Sequence, residues 1–296
     1  MDVWKVDRRR MLVGLAAVPL GMTASKATAQ TLPALQHGMV ACRFGQVHYR
    51  IARPAKPSRH PPLLCLHASP GSGIGFANFL TLMGEDRTAL AMDNPGFGLS
   101  DRPISPSTIS DFAGAAGDLI DALGFRQIDI LGSHTGSATA IELARQRPKA
   151  VRRIVLHSAL MFTQQEIADY ERRLEGSVPD TLDAAAARLP DLWKRFGKFR
   201  TDLGDIAAWQ LFWEMNRDPL HMGWGHDAAF AYDFPAALRQ VRQPILILNP
   251  KEGLSPITAR ARGFSPNISM IDLPYGDGLF SAHASDVAPL IRRFLG

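Results

Sequence analysis

Six short apolar runs separated by stretches of helical spacing constrain what this chain can fold into more than any other feature. They are Leu63–Leu66, Thr88–Met92, Ile128–Leu131, Ile154–Leu156, Ile245–Leu248 and Ile268–Ile271. Runs this short and this continuously apolar read as strands buried on both faces. Between them, Phe112–Leu123 and Val287–Leu295 carry apolar residues at helical intervals. The alternation predicts an α/β fold, a mostly parallel sheet with helices on both faces. Ahead of the runs, Met39–Phe44 and Val47–Ala52 flank Gly45-Gln46 and read as a hairpin, which brings the expected sheet to eight strands.

The pattern breaks between residues 159 and 242. That interval has no strand-like run, is rich in Ala, Leu and Trp, and offers helices at Gln164–Leu174, Leu182–Leu189 and Ile206–Met215. It predicts a helical cap inserted after the sixth strand, with 30–158 and 243–296 forming the core. Trp193, Trp209, Trp213, Trp224, Phe212, Met215 and Met222 are candidates both for its packing and for the wall of a pocket beneath it.

Residues 1–29 read separately. Arg8, Arg9 and Arg10 precede an apolar stretch from Met11 to Ala24, and Ala27-Thr28-Ala29 forms an A-x-A cleavage site. The segment resembles a twin-arginine signal peptide. Gly14, Pro19 and Gly21 interrupt the apolar stretch, which favours a cleaved signal over a retained anchor. The expectation is a periplasmic or secreted protein with no stable membrane contact after cleavage. Much of the net charge of +5 lies in this segment, so charge gives no reason to expect a nucleic-acid partner. Oligomeric state leaves no mark in the sequence. Cys42 and Cys65 fall on the first and third strands and are read as free thiols, Cys65 as a small buried hydrophobe.

Three motifs carry chemistry. His67-Ala68-Ser69-Pro70 follows the third strand, and Asp93-Asn94-Pro95-Gly96-Phe97-Gly98-Leu99-Ser100-Asp101 follows the fourth. Gly132-Ser133-His134-Thr135-Gly136 lies between the fifth strand and the helical pattern Ser137–Arg147. In this order and spacing, the chain from Gly38 to Gly296 resembles the α/β-hydrolase superfamily. The likeness is to its capped branch of epoxide hydrolases, haloalkane dehalogenases and carbon–carbon bond hydrolases. The resemblance implies a nucleophile elbow at the pentapeptide, with the backbone N–H groups of Ser69 and Thr135 as an oxyanion hole. It also implies that His67 supports that loop.

The chain departs from the family at the reacting positions. His134 occupies the nucleophile's place, and an aspartate, Asp277, occupies the place of the family's histidine. In the loop after the seventh strand, Glu252 is the one carboxylate and stands for the family's acid. A long imidazole on the elbow can meet a short carboxylate opposite it, so His134 is expected to act as a general base oriented by Asp277. Ser133 and Thr135 are read as structural, because an elbow projects only its central side chain. His157 ends the sixth strand and is counted with the pocket, where a structural role competes evenly. His283 reads as surface, and His221 and His226 as cap residues. No Cys/His set has metal-ligand spacing, so neither metal nor cofactor is expected.

These readings converge on a hydrolase acting on a small, largely apolar ester, lactone or related carbonyl compound. Two alternatives stay open. One is a cofactor-free lyase or isomerase that uses the same histidine. The other is a ligand-binding protein that has lost catalysis, since fold alone does not confer chemistry.

Overall fold

The strands separate two apolar cores by simple alternation. In the third strand, Leu64 and Leu66 face one core while Leu63 and Cys65 face the other. In the seventh, Ile245 and Ile247 are divided in the same way from Leu246 and Leu248. Side chains of successive strand residues point to opposite faces, so a run apolar at every position demands cover on both sides. The computed structural model describes residues 32–296. The paired arginines, the apolar stretch and the A-x-A site lie outside the described residues.

The hairpin β1 (Gln36–Cys42) and β2 (Gly45–Ala52) opens the sheet. There follow β3 (Leu63–Leu66), α1 (Ala77–Met83), β4 (Ala89–Met92), α2 (Ile109–Ala122), β5 (Ile128–Ser133), α3 (Thr135–Gln146) and β6 (Val151–His157). Six helices then intervene: α4 (Gln164–Leu174), α5 (Leu182–Arg195), α6 (Gly197–Leu203), α7 (Asp205–Met215), α8 (Trp224–Phe230) and α9 (Phe234–Gln240). The chain closes with β7 (Ile245–Asn249), α10 (Ser255–Thr258), β8 (Ile268–Asp272) and α11 (Ala284–Leu295). The eight strands lie in the order β1-β2-β4-β3-β5-β6-β7-β8. The pairings β1–β2 and β2–β4 are antiparallel, and all others are parallel.

Helices α1 and α11 pack together over one face, and α2, α3 and α9 cover the other. Thr108 starts α2 with a capping box: its hydroxyl accepts from the Asp111 N–H while Asp111 binds back to Thr108. Thr163 and Glu166 repeat that arrangement at α4, satisfying donors that a helix start otherwise leaves open. Cys42 and Cys65 are free thiols, with β2 and β4 between their strands.

One boundary differs from expectation. The sequence predicts that α5 stops at Leu189, before Pro190, yet the helix continues through Pro190 to Arg195. Leu189, Leu192 and Trp193 pack against a core of Phe196, Ala208 and Phe212. This tertiary burial outweighs the hydrogen bond that proline removes. Among the described residues, no helix is long and apolar enough to cross a membrane.

Candidate active site

The elbow is built on close backbone approach. A Cβ at Gly132 would stand 2.2 Å from the Gly136 carbonyl oxygen, and one at Gly136 would stand 2.0 Å from the Leu66 carbonyl oxygen. Only glycine permits both approaches. Between them His134 adopts φ 51° and ψ −112°, a conformation that a β-carbon disfavours. The turn is pinned to the end of β6: the His134 N–H donates to the His157 carbonyl at 3.0 Å, and Ser137 Oγ donates to the same oxygen at 3.1 Å. The strain is thus held by neighbouring strands and aims the imidazole beyond the carboxyl ends of the parallel sheet.

The carboxylate that meets the ring is Glu252, with Oε1 2.9 Å from His134 Nε2. The sequence reading gave the orienting part to Asp277. A glutamate on the loop after β7 has the reach to span to the elbow, and Asp277 lines the same cavity. The Glu252 side chain is only 5% exposed. Burial alone would raise its pKa, but the hydrogen bond from His134 and the attraction of His157 hold the carboxyl well below the usual range. Glu252 is therefore the fixed negative charge of the site. Ser158, itself at φ 68°, donates its hydroxyl to the same Oε1.

His157 stands behind this pair. Its Nε2 is 3.4 Å from Glu252 Oε1, too poorly aligned for a hydrogen bond, while its Nδ1 lies 2.8 Å from Ser133 Oγ. The ring meets His134 edge to face with centroids 4.8 Å apart and packs against Phe280 on another side. Burial lowers its pKa, the Glu252 charge only partly opposing that, so the ring is held neutral. Ser133, Oγ on His157, is buried with it.

A cavity of about 300 Å³ opens over His134. Ser69 and Thr135 line it, as do Leu160, Phe162, Tyr170, Leu174, Phe230 and Leu254, with His226 and Asp277 adding polar groups. Thr135 is the first residue of α3, so its N–H is among the donors a helix start leaves without an intrahelical partner. His67 and His157 are not among the lining residues. His67 Nδ1 donates to the Ala68 carbonyl and its Nε2 accepts from the Asn94 N–H, both at 2.9 Å, tying the Ser69 loop to the turn after β4.

The expected aromatic residues do not line this cavity. Trp193, Trp209 and Phe212 pack on one another, with Trp213 at the edge. Lining by Phe162, Tyr170 and Phe230 was missed, although these three form a cluster of their own. Their sequence signal was weak, because a Tyr on α4 and a Phe on α8 sit in patterns equally suited to core packing. His226 was read as a cap residue; burial lowers its pKa, Asp227 acting against the shift.

Comparison with known proteins agrees with this architecture. The family description of the α/β hydrolase fold matches residues 61–249, more than half of the chain. The chain belongs to the α/β-hydrolase family. Among its relatives, 2-hydroxymuconate semialdehyde hydrolase of Pseudomonas sp. (strain CF600) is 35% identical over 99 residues, covering 32% of this chain and 35% of that protein. The chain thus matches about a third of that relative's length. The 2-hydroxy-6-oxo-2,4-heptadienoate hydrolase of Pseudomonas putida F1 is 28% identical over 212 residues, covering 64% of this chain and 71% of that one. The enol-lactonase of Burkholderia xenovorans LB400 superposes with a TM-score of 0.68 at 17% identity, covering 87% of this chain and 99% of that chain. That likeness is one of fold.

Proposed function

We propose that the protein is a hydrolase of a small, largely apolar ester, lactone or related carbonyl compound, with His134 as general base. The contact between His134 and Glu252 at the floor of an apolar cavity carries this reading. With Nε2–H donated to the carboxylate, the lone pair of the imidazole is on Nδ1. That nitrogen takes a proton from water as the water oxygen attacks the substrate carbonyl. The N–H groups of Ser69 and Thr135 receive the developing oxyanion. Collapse breaks the bond to the leaving oxygen or carbon, and His134 returns the proton to it. Asp277 lines the cavity and supplies a second polar contact for the substrate. No acyl-enzyme forms, because the central side chain of the elbow is an imidazole in place of a hydroxyl.

The relatives named above act on 2-hydroxymuconate semialdehyde and 2-hydroxy-6-oxo-2,4-heptadienoate, so oxo-dienoates belong in a substrate panel beside esters and lactones. The test is turnover of that panel by wild type and His134→Ala, with folding checked by circular dichroism. Activity lost with the imidazole supports the reading. Equal turnover by both proteins overturns it, and conversion of substrate without uptake of water would point to a lyase or isomerase using the same base.

Export through the twin-arginine signal is part of the same proposal. Changing Arg9 and Arg10 to lysine should leave full-length protein in the cytoplasm, whereas undisturbed export would remove the assignment.

A further inference from the structure

We infer that His134, His157 and Glu252 form a binding site for one divalent transition-metal ion of the zinc type, and that the ion displaces the proton which makes His134 a base. The inference rests on the proposed role of His134 for its consequence, and on geometry alone for the site itself. One ligand atom from each residue lies within 4.8 Å of the other two. Two imidazole nitrogens and one carboxylate oxygen are the donor set that zinc takes in mononuclear sites with an open fourth position. With metal–ligand bonds of about 2.0–2.2 Å, tetrahedral ligands lie roughly 3.3–3.6 Å apart. The His157–Glu252 separation of 3.4 Å already meets this, and the half-buried His134 ring, with Nε2 2.9 Å from Glu252 and its ligand atom within 4.8 Å of that of His157, has to shift to complete the set.

An independent observation points the same way. His157 is 7% exposed, and its Nε2 is a buried polar atom with no hydrogen-bond partner, 3.4 Å from Glu252 Oε1. A lone pair there would face a carboxylate oxygen with nothing between them, an arrangement that a cation resolves. The surrounding groups also suit a metal. His157 Nδ1 is engaged by Ser133 Oγ, which fixes the ring, and Glu252 is held by Ser158 Oγ. Ligands of bound metals are usually oriented by such outer hydrogen bonds. None of this is visible in the spacing of the sequence, because the three residues come from the ends of β5 and β6 and the loop after β7.

A cation on His134 Nε2 leaves the ring's proton on Nδ1, the nitrogen that must take a proton from water. Metal occupancy and base catalysis are therefore mutually exclusive at this ring. The experiment is calorimetric titration of the chelator-treated protein with Zn²⁺, with Co²⁺ as a spectroscopic substitute whose visible bands report nitrogen and oxygen ligation. One ion per chain is expected in wild type. Binding should be lost in Glu252→Gln and His157→Gln, weakened about 10–100-fold in Ser133→Ala, and retained in His60→Ala, a surface control. Absence of binding in folded wild type, or binding that survives both glutamine variants, overturns the site. These readouts need no turnover, so they stand apart from failure of the hydrolase assignment. Where hydrolysis is measurable, Zn²⁺ should abolish it and a chelator restore it; full activity with the ion bound would refute the competition.

Discussion

His134 Nε2 and Glu252 Oε1 meet at 2.9 Å although the whole helical insertion separates the two residues in the chain. The strand order makes this possible: β5, β6 and β7 are successive neighbours, so the elbow after β5 and the loop after β7 flank the end of β6. An imidazole from one side and a long carboxylate from the other close the gap. Glu252→Gln keeps the size of the side chain and removes its charge. It should lower kcat by roughly 10²–10⁴-fold, because the carboxylate orients the ring and fixes its tautomer. KM should change far less. Asp277→Asn, altering a cavity-lining group, should have the smaller effect, and steady-state kinetics on both variants checks the ranking. An unchanged kcat in Glu252→Gln would remove that residue from the mechanism.

Ser133 is adjacent to the elbow residue but turned away from the cavity, with its hydroxyl 2.8 Å from His157 Nδ1. Serine-directed phosphonates should leave the intact protein unlabelled by mass spectrometry. Ser133→Ala should retain activity to within about tenfold, the scale on which a supporting hydrogen bond acts. Stoichiometric labelling at Ser133 would restore a serine mechanism, with His157 and Glu252 behind it.

How far the sequence carries can be seen in particular residues. Leu63–Leu66 and Ile245–Leu248 were legible as doubly buried strands because their apolar character has no gap, and Gly132 with Gly136 was legible as a tight turn because two glycines flank a single projecting side chain. Position 134 could be named as the projecting residue of that turn on the same ground. The contact of Glu252 with His134 was not legible, since it depends on loop paths and side-chain reach. The cavity wall was harder still. Trp193 and Phe212 advertise burial strongly, yet they pack on each other, and the cavity fell to Phe162, Tyr170 and Phe230. Aromatic residues signal burial and do not say against what.

Gly136→Ala tests the elbow's architecture without touching a reacting group. The new Cβ would lie 2.0 Å from the backbone oxygen of Leu66, which cannot rotate aside. Stability should fall by the upper end of about 1–3 kcal/mol, the range for forced overpacking. Chemical denaturation should show this as a lowered midpoint with an unchanged slope. A midpoint equal to wild type would mean that β3 and α3 can separate at no cost.

Asp93 predicts the acid limb of stability. It is fully buried, receives the Arg50 guanidinium and His48 Nδ1 at 2.8 Å each, and accepts from the backbone N–H groups of Gly73 and Leu99. Burial pushes its pKa upward, but hydrogen bonding from His48 and the charge of Arg50 outweigh that and bring it down to about 2, against an ordinary 3.8. A carboxyl depressed in the folded state contributes stability that is complete above its unfolded value and disappears as pH falls through its folded value. The difference corresponds to about 2 kcal/mol lost between roughly pH 4 and pH 2. Asp93→Asn should be less stable at neutral pH, because Arg50 is left buried without its counter-charge. It should also lose less stability than wild type across that window. Thermal melts of both proteins at pH 5, 4, 3 and 2 measure the difference, and parallel declines would show that Asp93 does not govern the acid transition.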